Sequence, residues 1–335
     1  MGAMVNRRIT LAARPTGMPE LSDFALVEEP VAGLLPGNVL VGVDVLSIDA
    51  FIRTVMEERA FHGGVPVGTM LPALGVGRVL QSTVADLEAG DSVFGRLGAQ
   101  TIVSLPAAAL RKLGVSKVPA TTYLAGLGVA TGVTAYFGIE VAAIKPGDTV
   151  VVSAAAGAVG SIAGQIARIA GAGRVIGVAG GPEKVTFLVD ELGFDAGVDY
   201  KSGGLDTGLC EAAPNGIDVF FDNVGGEILD AVLMQINVRA RIVICGGIAH
   251  YQDMDHVIGP RNYLKLAERH ARMEGFAVNH FASRYHEAET ALARWIDEGR
   301  LVVHEQYEHG IDRFPHALRM LLSGGNRGKL LLDLR

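Results

Sequence analysis

At 335 residues the chain exceeds one ordinary domain and suits two, each with length enough to bury a core. Its 29 Lys and Arg against 36 Asp and Glu give a net charge of −7 with no basic block, which excludes a nucleic-acid footprint carried by bulk charge. The two cysteines, Cys210 and Cys245, lack Cys-x-x-Cys spacing, which excludes a disulfide framework or a four-cysteine zinc lobe and fits a reducing cytoplasm.

Met1-Gly2-Ala3-Met4 reads as a leader before a start at Met4, with no basic, apolar and cleavage-site sequence to mark a signal. Apolar runs such as 118–135 are broken by Gly, Pro, Thr or Tyr, so no membrane span is expected. From Arg8 to about Val118 the chain reads as short strands at 24–27, 38–47, 75–80 and 92–95, punctuated by Pro36-Gly37, Gly63-Gly64 and Ala89-Gly90-Asp91. They predict a partly closed antiparallel barrel. From about Leu124 helices and strands alternate, with strands at 149–153, 174–178, 196–198, 219–222 and 241–245, which predicts a doubly wound parallel sheet. A helix at 285–297, a strand at Val302-Val303-His304 and an apolar run at 329–332 follow. The expected division is 1–123 with 297–335 against 124–296, with the active site in the cleft between the two domains.

The stretch Val150-Val151-Val152-Ser153-Ala154-Ala155-Ala156-Gly157-Ala158-Val159-Gly160-Ser161 runs from a strand through a small-residue turn into a helix. Ala155, Gly157 and Gly160 give A-x-G-x-x-G, the spacing with which a nucleotide pyrophosphate is held: a sharp turn, a close backbone approach, and tight helix–strand packing. At the end of the next strand, where NAD binding wants Asp or Glu for the ribose hydroxyls, stands Ala179-Gly180-Gly181. The missing carboxylate and the charge of Lys184 favour NADP(H), although Lys184 reads equally well as a solvated lysine.

The chain resembles the zinc-free branch of the medium-chain dehydrogenase/reductase superfamily, the leukotriene B4 12-hydroxydehydrogenase, prostaglandin reductase and alkenal double-bond reductase family. The likeness runs over almost the whole chain. It rests on Ser47-Ile48-Asp49-Ala50-Phe51-Ile52-Arg53, on Thr131 to Tyr136, on Ala154 to Gln165, and on Pro182-Glu183-Lys184-Val185. Further on it rests on Phe221 to Glu227, Cys245-Gly246-Gly247-Ile248, Gly259-Pro260-Arg261-Asn262, Met273 to Phe276, and Gly325-Asn326-Arg327-Gly328-Lys329. It implies an α/β fold in which a Rossmann doubly wound parallel sheet accompanies a β-rich, GroES-like partly closed barrel. It also implies NADP(H) bound by Gly157, Ala158, Val159 and Gly160 at the pyrophosphate and by Lys184 and Tyr200 at the 2′-phosphate. Asn223, Cys245, Gly246, Gly247, Tyr251, Phe276, Ala277, Val278 and Asn326 are placed around the coenzyme in the same way. Tyr200 also reads as a strand-end aromatic, and Asn223 and Asn326 as turn residues.

Zinc-dependent relatives carry Gly-His-Glu where this chain has Pro72-Ala73-Leu74-Gly75-Val76-Gly77, and Ala73 and Leu74 offer no zinc ligand. No metal is assigned; His250 and His256 read as loop histidines. The resemblance implies reduction of the C=C bond of an α,β-unsaturated aldehyde or ketone, with hydride reaching the β-carbon. Without a metal, hydrogen-bond donors must stabilise the enolate; one such donor is worth on the order of 3–4 kcal/mol of barrier. Tyr251 is the candidate catalytic residue, as enolate stabiliser or proton donor, or else a cover for the nicotinamide. Phe51, Arg53 and Tyr263 are candidate substrate contacts, with a structural ion pair as the alternative for Arg53. Phe51 replaces a tyrosine of the family pattern, which predicts a more apolar pocket there. A quinone reductase on the same scaffold and a coenzyme-binding protein without turnover remain alternatives. The resemblance implies a homodimer, a small enal or enone as partner, and no nucleic acid or membrane.

Overall fold

The computed structural model describes residues 4–58, 63–114 and 118–335, so residues 1–3 of the expected leader lie outside the described residues. Two compact units emerge. One comprises 1–124, 305–326 and 330–335; the other comprises 125–304 and 327–329.

The first unit begins with β1 (Val5–Leu11) paired antiparallel with β2 (Phe24–Pro30). Next comes β3 (Asn38–Ser47), buried along most of both faces, followed by the short helix α1 (Phe51–Val55). β4 (Gly75–Ser82), β5 (Ser92–Gly95), β6 (Ile102–Pro106) and β7 (Leu110–Lys112) continue the antiparallel sheet. β3 is its hub, because β6 pairs the first half of one edge while β4 follows the other. Ile9, Leu46, Ile48, Ile52 and Leu71 are fully buried beneath it, each worth about 1.5–3 kcal/mol of apolar transfer.

The second unit opens with α2 (Thr134–Ala142) and β8 (Thr149–Ser153), whose five residues are all buried, as a strand covered on both faces requires. Then come α3 (Ala158–Ile169), β9 (Arg174–Ala179), α4 (Pro182–Thr186), β10 (Ala196–Asp199), α5 (Leu205–Ala212), β11 (Ile217–Asp222), α6 (Gly226–Leu233) and β12 (Ile236–Ile244). α7 (Leu264–Glu268), β13 (Arg272–Gly275) and α8 (Tyr285–Asp297) complete it. The strands are parallel in the order β10-β9-β8-β11-β12-β13. The order reverses between β8 and β11, so the carboxyl ends of those two strands form the crevice where open α/β sheets bind ligands.

The strand expected at Val302-Val303-His304 does not form, and the pairing starts at β14 (Glu305–His309). A side chain takes the place of a partner strand: the Gln165 amide accepts from the Val302 N–H at 2.8 Å and donates to the Val302 carbonyl at 2.9 Å. Leu301 N–H also bonds back to Trp295. Residues 298–304 therefore stay with the second unit, whereas the sequence placed the return at 297. After α9 (Phe314–Leu322), β15 (Lys329–Asp333) lies between β14 and β3 in the antiparallel sheet. Among the described residues no helix is long and apolar enough to cross a membrane.

Candidate functional site

The bend out of β8 falls on Ala154, in the left-handed region at φ 46°, one residue earlier than the expected turn position Ala155. Ala155 is instead buried and still tied to the sheet, its N–H donating to Val178, and it packs against Gly177 of β9. The two glycines differ in how tightly they are enclosed. A Cβ on Gly160 would lie 2.4 Å from the Ala154 carbonyl oxygen, so only glycine lets α3 pack this close. A Cβ on Gly157 would meet only that same oxygen, at 3.2 Å, and the half-buried run Gly157, Ala158, Val159 leaves the start of a 12-residue helix approachable. First-turn N–H groups have no acceptor within their own helix and suit a pyrophosphate.

Beneath the turn lies a polar knot that the sequence did not reveal. The buried Asp222 carboxylate accepts from the Ser153 hydroxyl at 2.8 Å and from the N–H groups of Val224 and Gly225. The Asn223 side chain donates to the Ser153 carbonyl at 2.8 Å, so its amide nitrogen ties the ends of β8 and β11 together. The Asp222 carbonyl accepts from the N–H groups of Cys245 and Gly246, fixing the segment after β12. Burial, with the nearby Asp222 charge, pushes the Cys245 thiol up to about 12, so this sulfur stays a thiol. Tyr251 follows. Its phenol oxygen accepts from the Gly247 N–H at 3.4 Å, and burial raises its pKa above the ordinary tyrosine value, keeping it protonated.

Beyond β9 the cations gather. Lys184 is half-buried, and its pKa is lowered by burial and then by the charges of Lys201 and Arg327. Tyr200 and Lys201 lie against the Gly180 backbone, where a Cβ would come within 3.0 Å of the Tyr200 ring and 2.8 Å of the Lys201 chain. One acid, Asp199, lies nearby, and its Oδ1 accepts from the N–H groups of Gly181 and Lys201. The cations of this setting fit a phosphate monoester on the ribose, and β9 itself ends in Ala179-Gly180-Gly181 without a carboxylate. Lys184 and Tyr200 are the residues the sequence singled out here; Lys201 and Arg327, each next to a residue singled out, add two further cations to which the sequence reading gave no role.

The remaining candidates divide. Phe276, Ala277 and Val278 are half-buried just beyond β13, with Phe276 packed edge-on to Phe281. Asn326 is buried. Phe51 is partly buried against the first unit's core, and Tyr263 is exposed at the start of α7. Arg53 must be corrected: it is fully buried, with its guanidinium on Glu57 and the Gly17 carbonyl, so it is the ion-pair alternative and no substrate contact. His256 pairs with Asp253 on the surface.

Two family models match the chain. One, described as the N-terminal domain of oxidoreductase, matches residues 7–113, and one described as zinc-binding dehydrogenase matches 158–297. Among the described residues no group of three or more His, Cys, Asp or Glu is arranged to hold a metal ion. A putative NADP-dependent oxidoreductase of Bacillus subtilis, YfmJ, is 41% identical over 98% of this chain and 97% of its own length. An NADP-dependent 2-alkenal reductase of Nicotiana tabacum is 36% identical over 97% of this chain and 96% of its own. The crystal structure of CurA from Vibrio vulnificus in complex with NADPH superposes with a TM-score of 0.92 at 34% identity, over 98% of this chain and 99% of that one.

Proposed function

The chain belongs to the zinc-free branch of the medium-chain dehydrogenase/reductase superfamily, and from that membership we propose that it is an NADPH-dependent reductase of the C=C bond of α,β-unsaturated aldehydes and ketones. One observation carries the coenzyme half of this reading: Lys184 lies within the field of Lys201 and Arg327 at the end of β9, where an unphosphorylated ribose would want a carboxylate. The substrate half rests on the likeness to the alkenal reductase.

When bound, NADPH supplies the hydride. The protein's own work is positioning and proton control. Gly157 and the first turn of α3 would take the pyrophosphate, while Lys184 and Tyr200 would take the 2′-phosphate. Asn223, Cys245 to Gly247, Phe276 to Val278 and Asn326 would line the coenzyme, with Phe51 and Tyr263 on the substrate side. Tyr251 is assigned the catalytic role. Because its oxygen accepts from Gly247, its own O–H remains available to a developing enolate oxygen, and its raised pKa keeps that proton in place through neutral pH. Tyr251→Phe is expected to lower kcat about 100- to 1,000-fold with the NADPH Kd little changed. An unchanged kcat would leave Tyr251 a mere cover.

The reading includes a homodimer formed through an edge of the parallel sheet, and residence in the cytoplasm, in keeping with two free cysteines. The deciding experiment measures NADPH and NADH oxidation with a panel of enals, enones and benzoquinones. Turnover of enals and enones with NADPH supports the proposal. Turnover of quinones alone, or tight coenzyme binding with no turnover, would replace it.

A further inference from the structure

The segment 327–329 stands apart from its neighbours in sequence, for it is the only part of the chain beyond 304 that belongs to the second unit. Two backbone hydrogen bonds hold it there: Gly328 N–H donates to the Ala156 carbonyl of the phosphate turn, and Lys329 N–H to the His304 carbonyl, both at 2.8 Å. Gly328 is required at this crossing, since a Cβ would come within 2.2 Å of the His304 oxygen. Arg327 is thus carried to the coenzyme side of α3 by its backbone. Its guanidinium stacks over the Phe187 ring at 5.4 Å, with Glu191 3.9 Å away. Lys184, Phe187 and Glu191 lie along the helical run from 182 to 191, and Arg327 reaches the last two of them.

We propose that Arg327 is a coenzyme-specificity residue, a planar cation that joins Lys184 in reading the 2′-phosphate, with Glu191 as the carboxylate it exchanges for that phosphate. This rests on the NADPH reading above and adds to it a residue and a counter-charge. The guanidinium presents paired donors to a phosphate where an ammonium presents a point charge, and the Phe187 face orients it beforehand. The electrostatic influence of Arg327 on Lys184 is the one expected of two cations sharing a single anion site.

The test is fluorescence titration of NADPH and NADH against the full-length parent, Arg327→Leu, Arg327→Lys and Glu191→Gln. Arg327→Leu should weaken NADPH about tenfold, a loss of one charge-assisted contact, and leave NADH unchanged. Arg327→Lys should fall between Arg327→Leu and the parent, and Glu191→Gln should tighten NADPH alone. Equal weakening of both coenzymes in Arg327→Leu, or no change in either, would overturn the proposal. A parent that binds NADH as tightly as NADPH would instead remove the coenzyme reading beneath it, and this proposal with it.

Discussion

Backbone atoms and methyl-sized side chains make the turn from Ala154 to Gly160; long cationic side chains make the cluster of Lys184, Lys201 and Arg327. The turn is fixed from below by Asp222 and Ser153 and closed by the contact of Gly160 with Ala154, so its shape is set before any ligand arrives. The cluster is drawn from separate parts of the chain and kept in place by stacking on Phe187, by Asp199 capping and by packing on Gly180. In the proposed reading the first arrangement holds any dinucleotide and the second distinguishes among them. Affinity and selectivity are thus built in different materials, and substitutions should separate them.

The largest effect is expected in the turn. Gly160→Val would drive side-chain carbon into the Ala154 carbonyl and should cost about 3 kcal/mol or more of stability, read by chemical denaturation, with both coenzymes lost together. In the cluster, Lys184→Met should weaken NADPH about 10- to 100-fold and spare NADH, with stability unchanged within error; equal losses for the two coenzymes would break the comparison. The smallest effect is one of pH. A lysine whose pKa is lowered loses its charge before pH 10.5 is reached, so the ratio of NADPH to NADH affinity should begin to fall below that value as pH rises. Arg327→Leu removes a like charge and should move that decline to higher pH.

How much of this was legible follows from how far apart the parts lie in sequence. The A-x-G-x-x-G turn is local, and its glycines could be assigned from spacing; only the bend was misplaced by one residue, because alanine at φ 46° leaves no trace in composition. β3 and β8 read correctly because both are rich in valine, β3 being interrupted between Val39 and Leu46 only by Gly42 and Asp44. Lys184 could be proposed from its charge and the missing carboxylate and Tyr200 from the family likeness, but Arg327 lies more than a hundred residues on and is delivered by a β-crossing no periodicity announces. Arg53 showed the opposite difficulty, since a buried guanidinium and a substrate-binding one look alike until Glu57 and Gly17 are seen to occupy it. Val302 and Val303 have strand composition, yet the partner that satisfies Val302 is one glutamine side chain from α3.

The place of β15 has a consequence for biosynthesis. Residues 329–333 lie between β14 and β3, and Leu330, Leu331 and Leu332 are wholly buried. Strands made first on the ribosome must therefore wait, with this slot in their sheet unfilled, until almost three hundred further residues have been translated. The parallel sheet, contiguous in the message, can be completed in the meantime. The nascent chain should accordingly acquire its nucleotide fold first, and a stalled or shortened translation product should keep that fold while its antiparallel half stays exposed to chaperones and proteases.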